Sequence, residues 1–105
     1  MDQQLKKGIL EIYVLAYLKR NDSYGYRIVQ NLSQVIAISE STLYPIVRRL
    51  EEAKCLTTYK LENNGRLRKY YHVTAIGEKR LDTFYVDWVN IFEIYNKLIN
   101  RANKK

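Results

Sequence analysis

Two short runs in this 105-residue chain carry side chains that could read or grip a polyanion. Ser39, Ser41, Thr42, Tyr44 and Arg48 set hydroxyls, a phenol and one guanidinium close together, donors and acceptors of the kind that hydrogen-bond to base edges in a DNA groove. Arg48 is expected to make the main base or phosphate contact. Arg66, Arg68 and Lys69 follow Asn63-Asn64-Gly65, so long cations stand at or just after a turn, where they would reach phosphates or the electronegative minor groove. Lys and Arg also guard exposed strand edges. What precedes these cations in the chain decides between the two uses.

Other chemistry is poorly provided for. His72 is the only histidine, and no Ser, Cys or carboxylate stands at a recognisable spacing from it, so it reads as an ordinary strand residue. Cys55, the only cysteine, can make no internal disulfide, and with His72 alone it cannot complete a zinc ligand set. Beside Leu56 it is expected to be buried. No nucleophile and base pair, phosphate loop or paired-carboxylate site is recognisable, so neither an enzyme nor a cofactor or metal is expected.

Eighteen Lys and Arg against eleven acids give a net charge of +7, which favours nucleic acid or an anionic membrane surface as partner. The apolar stretch from Ile9 to Leu18 is interrupted by Glu11 and followed by Lys19-Arg20-Asn21-Asp22, without the cleavage site of a signal peptide. No segment approaches the roughly 20 apolar residues that cross a bilayer. A soluble, cytoplasmic protein of one domain, with no membrane partner, is the expectation.

The elements that must position these side chains follow from periodicity and capping. Leu5, Ile9, Ile12 and Ala16 space a first helix, and Leu10, Tyr13, Leu15 and Tyr17 widen its stripe, so it should be covered on more than one side. Asn21-Asp22-Ser23 breaks the chain and offers N-caps for a second helix spaced by Tyr24, Ile28, Val29 and Leu32. Ser39 is the cap of a third, with Ile38 and Leu43 placed for a hydrophobic staple, and Pro45 predicts an irregular start. In that helix Leu43, Ile46, Val47 and Leu50 lie on one side, whereas Ser41, Tyr44, Pro45, Arg48 and Glu52 lie on the other.

Two β-prone runs, Leu56 to Glu62 and Arg66 to Val73, flank the Asn-Gly turn and read as a hairpin. Thr74 can cap a last helix reaching about Asn100, too long for so small a domain to bury. Its apolar residues Leu81, Phe84, Trp88, Ile91, Tyr95 and Leu98 are spaced alternately by three and four, with Tyr85, Phe92 and Ile99 broadening the seam. A monomer would expose these aromatics in one patch, so a homodimer through this helix is expected, with Leu5, Ile9 and Ile12 contributing.

Helices followed by a hairpin, in this order, are what a winged helix-turn-helix requires. The expected fold class is mainly α with a β-hairpin: a DNA-binding winged helix over residues 1–73 and a dimerisation helix over residues 74–105, in one compact unit. A two-fold dimer would present two recognition helices to the half-sites of a pseudo-palindrome in double-stranded DNA.

Four stretches carry a resemblance to a known family: Leu10-Glu11 through Leu18; Ser23-Tyr24-Gly25-Tyr26; Ser39 through Glu51 with its Thr42-Leu43-Tyr44-Pro45; and Gly65 through Gly77 with its Arg68-Lys69-Tyr70-Tyr71. Across nearly the whole chain the sequence resembles the PadR family of bacterial transcriptional regulators, in particular its short members with a single C-terminal helix. The resemblance implies a dimeric repressor, with DNA contacts from the third helix and wing and dimerisation through the first and last helices. Lys54 departs from the glycine usual at the end of the recognition helix, a position that often demands positive φ. Leu67 departs from the Pro or Arg common in the family's wing.

Some short members bind flat aromatic drugs between symmetry-related tryptophans at the dimer interface, and Trp88 stands at the matching place. The resemblance thus implies a planar aromatic ligand beside Trp88, Ile12, Tyr85, Ile91, Phe92 and Tyr95, although side chains this bulky equally suit a filled dimer core. The expected function is a sequence-specific repressor relieved by such a ligand. The competing expectation is a winged-helix interaction or sensor module without sequence-specific DNA binding.

Overall fold

The computed structural model describes residues 2–103. Met1, Lys104 and Lys105, which belong to the two units expected from the sequence, lie outside the described residues. In chain order the elements are α1 (Gln3–Arg20), β1 (Ser23–Tyr24), α2 (Gly25–Leu32), α3 (Glu40–Glu52), β2 (Leu56–Asn63), β3 (Arg66–Val73) and α4 (Ala75–Asn103). Among the described residues no helix is long and apolar enough to cross a membrane.

Local chemistry sets most of the boundaries. Ser39 accepts a hydrogen bond from the Thr42 amide at 3.3 Å and opens α3, as its spacing predicts. Pro45 does not make that opening irregular: α3 is continuous through it. The carbonyl its missing amide would have served belongs to exposed Ser41, where water can take over. Thr74 Oγ1 accepts from the Gly77 amide at 3.2 Å, starting α4, and donates to the Lys54 carbonyl at 2.6 Å.

The exit from α3 is a Schellman turn: the Cys55 amide donates to the Leu50 carbonyl at 2.8 Å and the Lys54 amide to that of Glu51 at 2.9 Å. Lys54 accordingly stands at φ 64°, the left-handed backbone the family's usual glycine would adopt without strain. That conformation costs a side-chain-bearing residue about 1–2 kcal/mol, partly offset by the extra freedom glycine has when unfolded. Lys54→Gly is therefore expected to stabilise the fold by about 0.5–1 kcal/mol, read as a raised urea midpoint; a lowered midpoint would contradict the strain.

The hairpin forms around Asn64 and Gly65, both at positive φ, with Asn63 paired to Arg66. It acquires a third strand. The free edge of β3 is paired by Ser23–Tyr24, giving the antiparallel order β1-β3-β2. This corrects the expected capping of α2 by the Asn21-Asp22-Ser23 segment. Ser23 is drawn into the sheet, and the N-cap is Tyr24, which makes no side-chain cap bond.

The core gathers Leu10, Val14, Leu15 and Leu18 of α1, Ile28 and Leu32 of α2, Leu43, Ile46, Val47 and Leu50 of α3, and Cys55, Leu56, Tyr71 and Val73. The buried face of α1 is thus not the Leu5, Ile9, Ile12, Ala16 stripe: Ile9 and Ile12 are half-buried, and Leu5 and Ala16 are exposed. The stripe is wide because α1 packs on α3 and β3 as well as on α4. Glu11, the interruption in the apolar run, lies 3.5 Å from Arg49 and 3.8 Å from Arg80, tying α1 to α3 and α4. Beyond Trp88, α4 leaves the body of the protein, and every residue from Val89 to Arg101 is exposed.

Candidate nucleic-acid interface

Because Leu43, Ile46, Val47 and Leu50 are buried, helical periodicity turns Ser41, Thr42, Tyr44 and Arg48 outward, and all four are exposed. The hydroxyls at the start of α3 are linked to one another: Ser39 Oγ lies 3.0 Å from Ser41 Oγ and 3.1 Å from Thr42 Oγ1. Ser39 is therefore committed to capping, and Ser41 and Thr42 present oriented hydroxyls beside it. Arg48 forms no ion pair among the described residues.

The sheet brings the wing to this helix. Tyr24, Gly25, Tyr26, Glu40, Tyr44, Tyr71 and the Arg66 to Lys69 segment line one cleft of about 680 Å³. Gly25 makes room for Tyr44, since a Cβ there would stand 3.2 Å from the Tyr44 hydroxyl. The cations of the wing are not equivalent. Arg66 is exposed and forms no ion pair among the described residues, whereas Lys69 Nζ lies 3.5 Å from Glu51 Oε1. Arg68 is half-buried, its guanidinium 4.3 Å above the Tyr24 ring.

The wing is braced across its strands by a row of rings. Tyr70 stacks on Tyr59 at 5.5 Å and meets Tyr24 edge-on at 5.3 Å, while Asn63 Nδ2 donates to the Tyr70 hydroxyl at 3.0 Å. His72, without a partner at any readable spacing, has one in space: its Nδ1 lies 2.8 Å from Asp22 Oδ1, fifty positions away. The Tyr59 hydroxyl donates to Asp22 Oδ2 at 2.7 Å. Partial burial pushes the Asp22 carboxyl up, but these hydrogen bonds and the charge of His72 outweigh it and hold the group below the ordinary carboxylate range.

A second concave surface, about 590 Å³, lies between α1 and α4, where Leu5, Ile9 and Ile12 face Phe84 and Trp88. Trp88 is half-buried between Phe84, at 5.6 Å, and Phe92, at 5.5 Å. Of the residues expected around a ligand, Trp88 and Ile12 meet in this groove. Tyr85, Ile91, Phe92 and Tyr95 do not line it within one protomer, and all are exposed. Leu81 packs against the protomer's own core, and Leu98 is exposed near the end of α4.

Several lining residues escaped the sequence. Gln4, Gly8, Thr83 and Asp87 border the groove, and Tyr24 and Tyr26 border the cleft between α3 and the wing. Gly8 left a signal, a glycine inside an otherwise strong helix; a Cβ there would meet nothing within 4 Å, so the groove is open at that wall. Tyr24 and Tyr26 were signalled only by the Ser23-Tyr24-Gly25-Tyr26 run.

Comparison with known proteins agrees with this architecture. Residues 14–83 match the model of the transcriptional regulator PadR-like family. An uncharacterised protein of Lysinibacillus sphaericus is 32% identical over 93 residues, covering 84% of this chain and 85% of that protein. Among solved structures, smu.1704 of Streptococcus mutans UA159 is 40% identical, with a TM-score of 0.78 over 90% of this chain and 89% of that one. A PadR family transcriptional regulator from Eggerthella lenta DSM 2243 is 34% identical, with a TM-score of 0.79 over 91% and 86% of the two chains.

Proposed function

The chain belongs to the PadR-like family of transcriptional regulators, DNA-binding proteins rather than enzymes, and from that premise we propose that it represses transcription in the cytoplasm by gripping a pseudo-palindromic operator as a homodimer. One observation supports this: Tyr44, on the outward side of α3, and Arg66 of the wing, which forms no ion pair among the described residues, border the same cleft, so a helix for the major groove and a cation for the backbone would act from one side. Residues 1–73 are the reading head. Residues 74–105 are the dimerisation unit, in which exposed Ile91, Tyr95 and Leu98 of α4 meet their symmetry mates.

Selection of bound fragments from the source genome, followed by footprinting, tests the proposal. A specific regulator protects a discrete palindrome, whereas an interaction module without sequence-specific binding protects none. The charge contribution is read separately. Each neutralised phosphate contributes about −0.9 to the slope of log affinity against log salt. Replacing both Arg66 and Arg68 by Ala, which removes two cations from each protomer of the dimer, is expected to weaken binding and flatten that slope by about 2–4 units while leaving the dimer intact; an unchanged slope would make the wing irrelevant to DNA.

The α1 and α4 groove supports relief of repression by a planar aromatic ligand stacked on Trp88; its lining holds two acids, Glu11 and Asp87, and two bases, Lys79 and Arg80, so stacking on the ring rather than net charge would hold the ligand. Trp88 is the only tryptophan, so its fluorescence reports this site alone. A planar cationic dye is expected to quench it along a saturable curve and to weaken operator binding. Linear, unsaturable quenching would remove the ligand from the proposal.

A further inference from the structure

One tyrosine of the core takes no part, through its hydroxyl, in the hydrogen bonding of the fold. Tyr71 is 4% exposed, its ring belongs to the core, and its backbone is paired on both sides, to Ser23 of β1 and Thr58 of β2. Tyr17, Tyr59 and Tyr70 each have a partner for their hydroxyls, whereas that of Tyr71 has none among the described residues. Nor is it sealed in: the partnerless side-chain atoms that solvent cannot reach belong to Ser23, Asn63 and Arg68. The Tyr71 hydroxyl therefore reaches solvent, and the opening it reaches is the cleft of about 680 Å³ between α3 and the wing, which Tyr71 lines. A phenylalanine would fill the core without the cost of desolvating a phenol, and buried tyrosines ordinarily find a partner. The hydroxyl is left for one from outside the chain.

The chemistry of that partner follows from the surroundings. Burial first, then the charge of Glu51 and the neighbouring Tyr44, push the Tyr71 phenol above its ordinary value, so it stays protonated and able to donate. Its partner is an acceptor. Lys69 is matched by Glu51, at 3.5 Å, and Arg66 and Arg68 outnumber Glu40, the one acid on the lining, so the cleft favours an anion. In B-DNA each sugar-phosphate strand is the ridge between a major and a minor groove. A protein with α3 in the one and its wing in the other straddles that ridge, and the concave surface between the two elements is where the ridge rests.

We propose that the cleft between α3 and the wing seats the sugar-phosphate strand separating the two grooves, and that the Tyr71 hydroxyl donates a hydrogen bond to one of its phosphates. This rests on the DNA-binding reading above and adds to it a contact from the core of the protein. Because the ring is fixed between two strands, the hydroxyl is an uncharged, preorganised stop that sets the register of α3 on the bases.

The test uses the full chain and the tightest duplex from the fragment selection, with methylphosphonate linkages that neutralise one phosphate at a time. Tyr71→Phe removes the hydroxyl alone. Its thermal midpoint is expected to be unchanged or raised, because the hydroxyl bonds to nothing in the unbound protein. Band shifts should show a loss of affinity of about tenfold per half-site, as for one hydrogen bond to a charged group, with the salt slope unchanged, since a neutral phenol displaces no counterion. At one linkage of a half-site the natural protein should lose about tenfold, and there Tyr71→Phe should cost nothing further in that half-site. A loss that persists at every linkage, a lowered midpoint or an undiminished affinity would overturn the contact and leave the functional reading standing. Failure of the natural protein to bind any duplex would overturn both.

Discussion

Gly77→Ala is expected to destabilise the protein by about 3 kcal/mol or more, the reverse of the usual effect of this exchange in a helix. Alanine in place of helical glycine ordinarily stabilises by about 0.5–1 kcal/mol. At position 77, however, the first turn of α4 rests on the end of the α3 exit, and an added Cβ would run into the Cys55 carbonyl and stand 2.9 Å from Val73 Cγ1. That carbonyl cannot step aside, because it accepts the Thr74 amide at 3.0 Å and belongs to the residue that closes the Schellman turn on Leu50. Relief requires α4 to lift away from α3 and β3, opening the core at Val73 and Leu81. Urea unfolding measures the change; a neutral or raised midpoint would show that the α4 junction yields freely.

Ile91→Glu combined with Leu98→Glu is expected to turn the proposed dimer into a folded monomer and to reduce operator affinity by about a hundredfold or more. These side chains are 54% and 61% exposed in the single chain, so nothing in the protomer depends on them, and its core should survive the exchange. Across a two-fold seam, carboxylates at these positions lose apolar burial and meet like charges from the partner. A monomer engages one half-site at a time and forgoes the effective concentration that tethering gives the second. Sedimentation equilibrium and band shift read the two effects separately. A variant that remains dimeric places the seam elsewhere; a monomer that keeps full affinity removes the palindrome from the mechanism.

Phe84 and Trp88 are half-buried against α1 of their own protomer, whereas Ile91, Tyr95 and Leu98 lie beyond the body. A ligand entering between α1 and α4 would thus act on the stretch of helix that joins the reading head to the dimer seam. In the proposed dimer, a small change of angle there would be carried along α4, about 1.5 Å of helix per residue, into a larger change in the separation of the two α3 helices.

What could be read in advance was whatever depends on neighbours within a turn or two. Ser39 caps α3, Asn64 and Gly65 take positive φ in the hairpin, and Leu43, Ile46, Val47 and Leu50 bury while Ser41, Tyr44 and Arg48 do not. Each follows from side-chain hydrogen bonding, backbone sterics or helical period, which act between residues near in sequence. Even the left-handed Lys54 was marked by the position it occupies rather than by its type.

The tertiary structure alone decided the rest. Ser23 looked like part of a helix cap and Tyr24 like the helix's first apolar residue, and the two became an edge strand, because β3 offered unpaired backbone that no local pattern reveals. The same pairing placed Asp22 against His72 and Tyr24 beneath Arg68, contacts between groups far apart in the chain. The sequence by itself determined the four helices and the hairpin, and that their faces divide into apolar and polar. Which apolar face of α1 was the core, and which cations would stand paired or unpaired, was settled only when the helices packed on the sheet, since burial and charge pairing depend on what arrives from elsewhere in the chain.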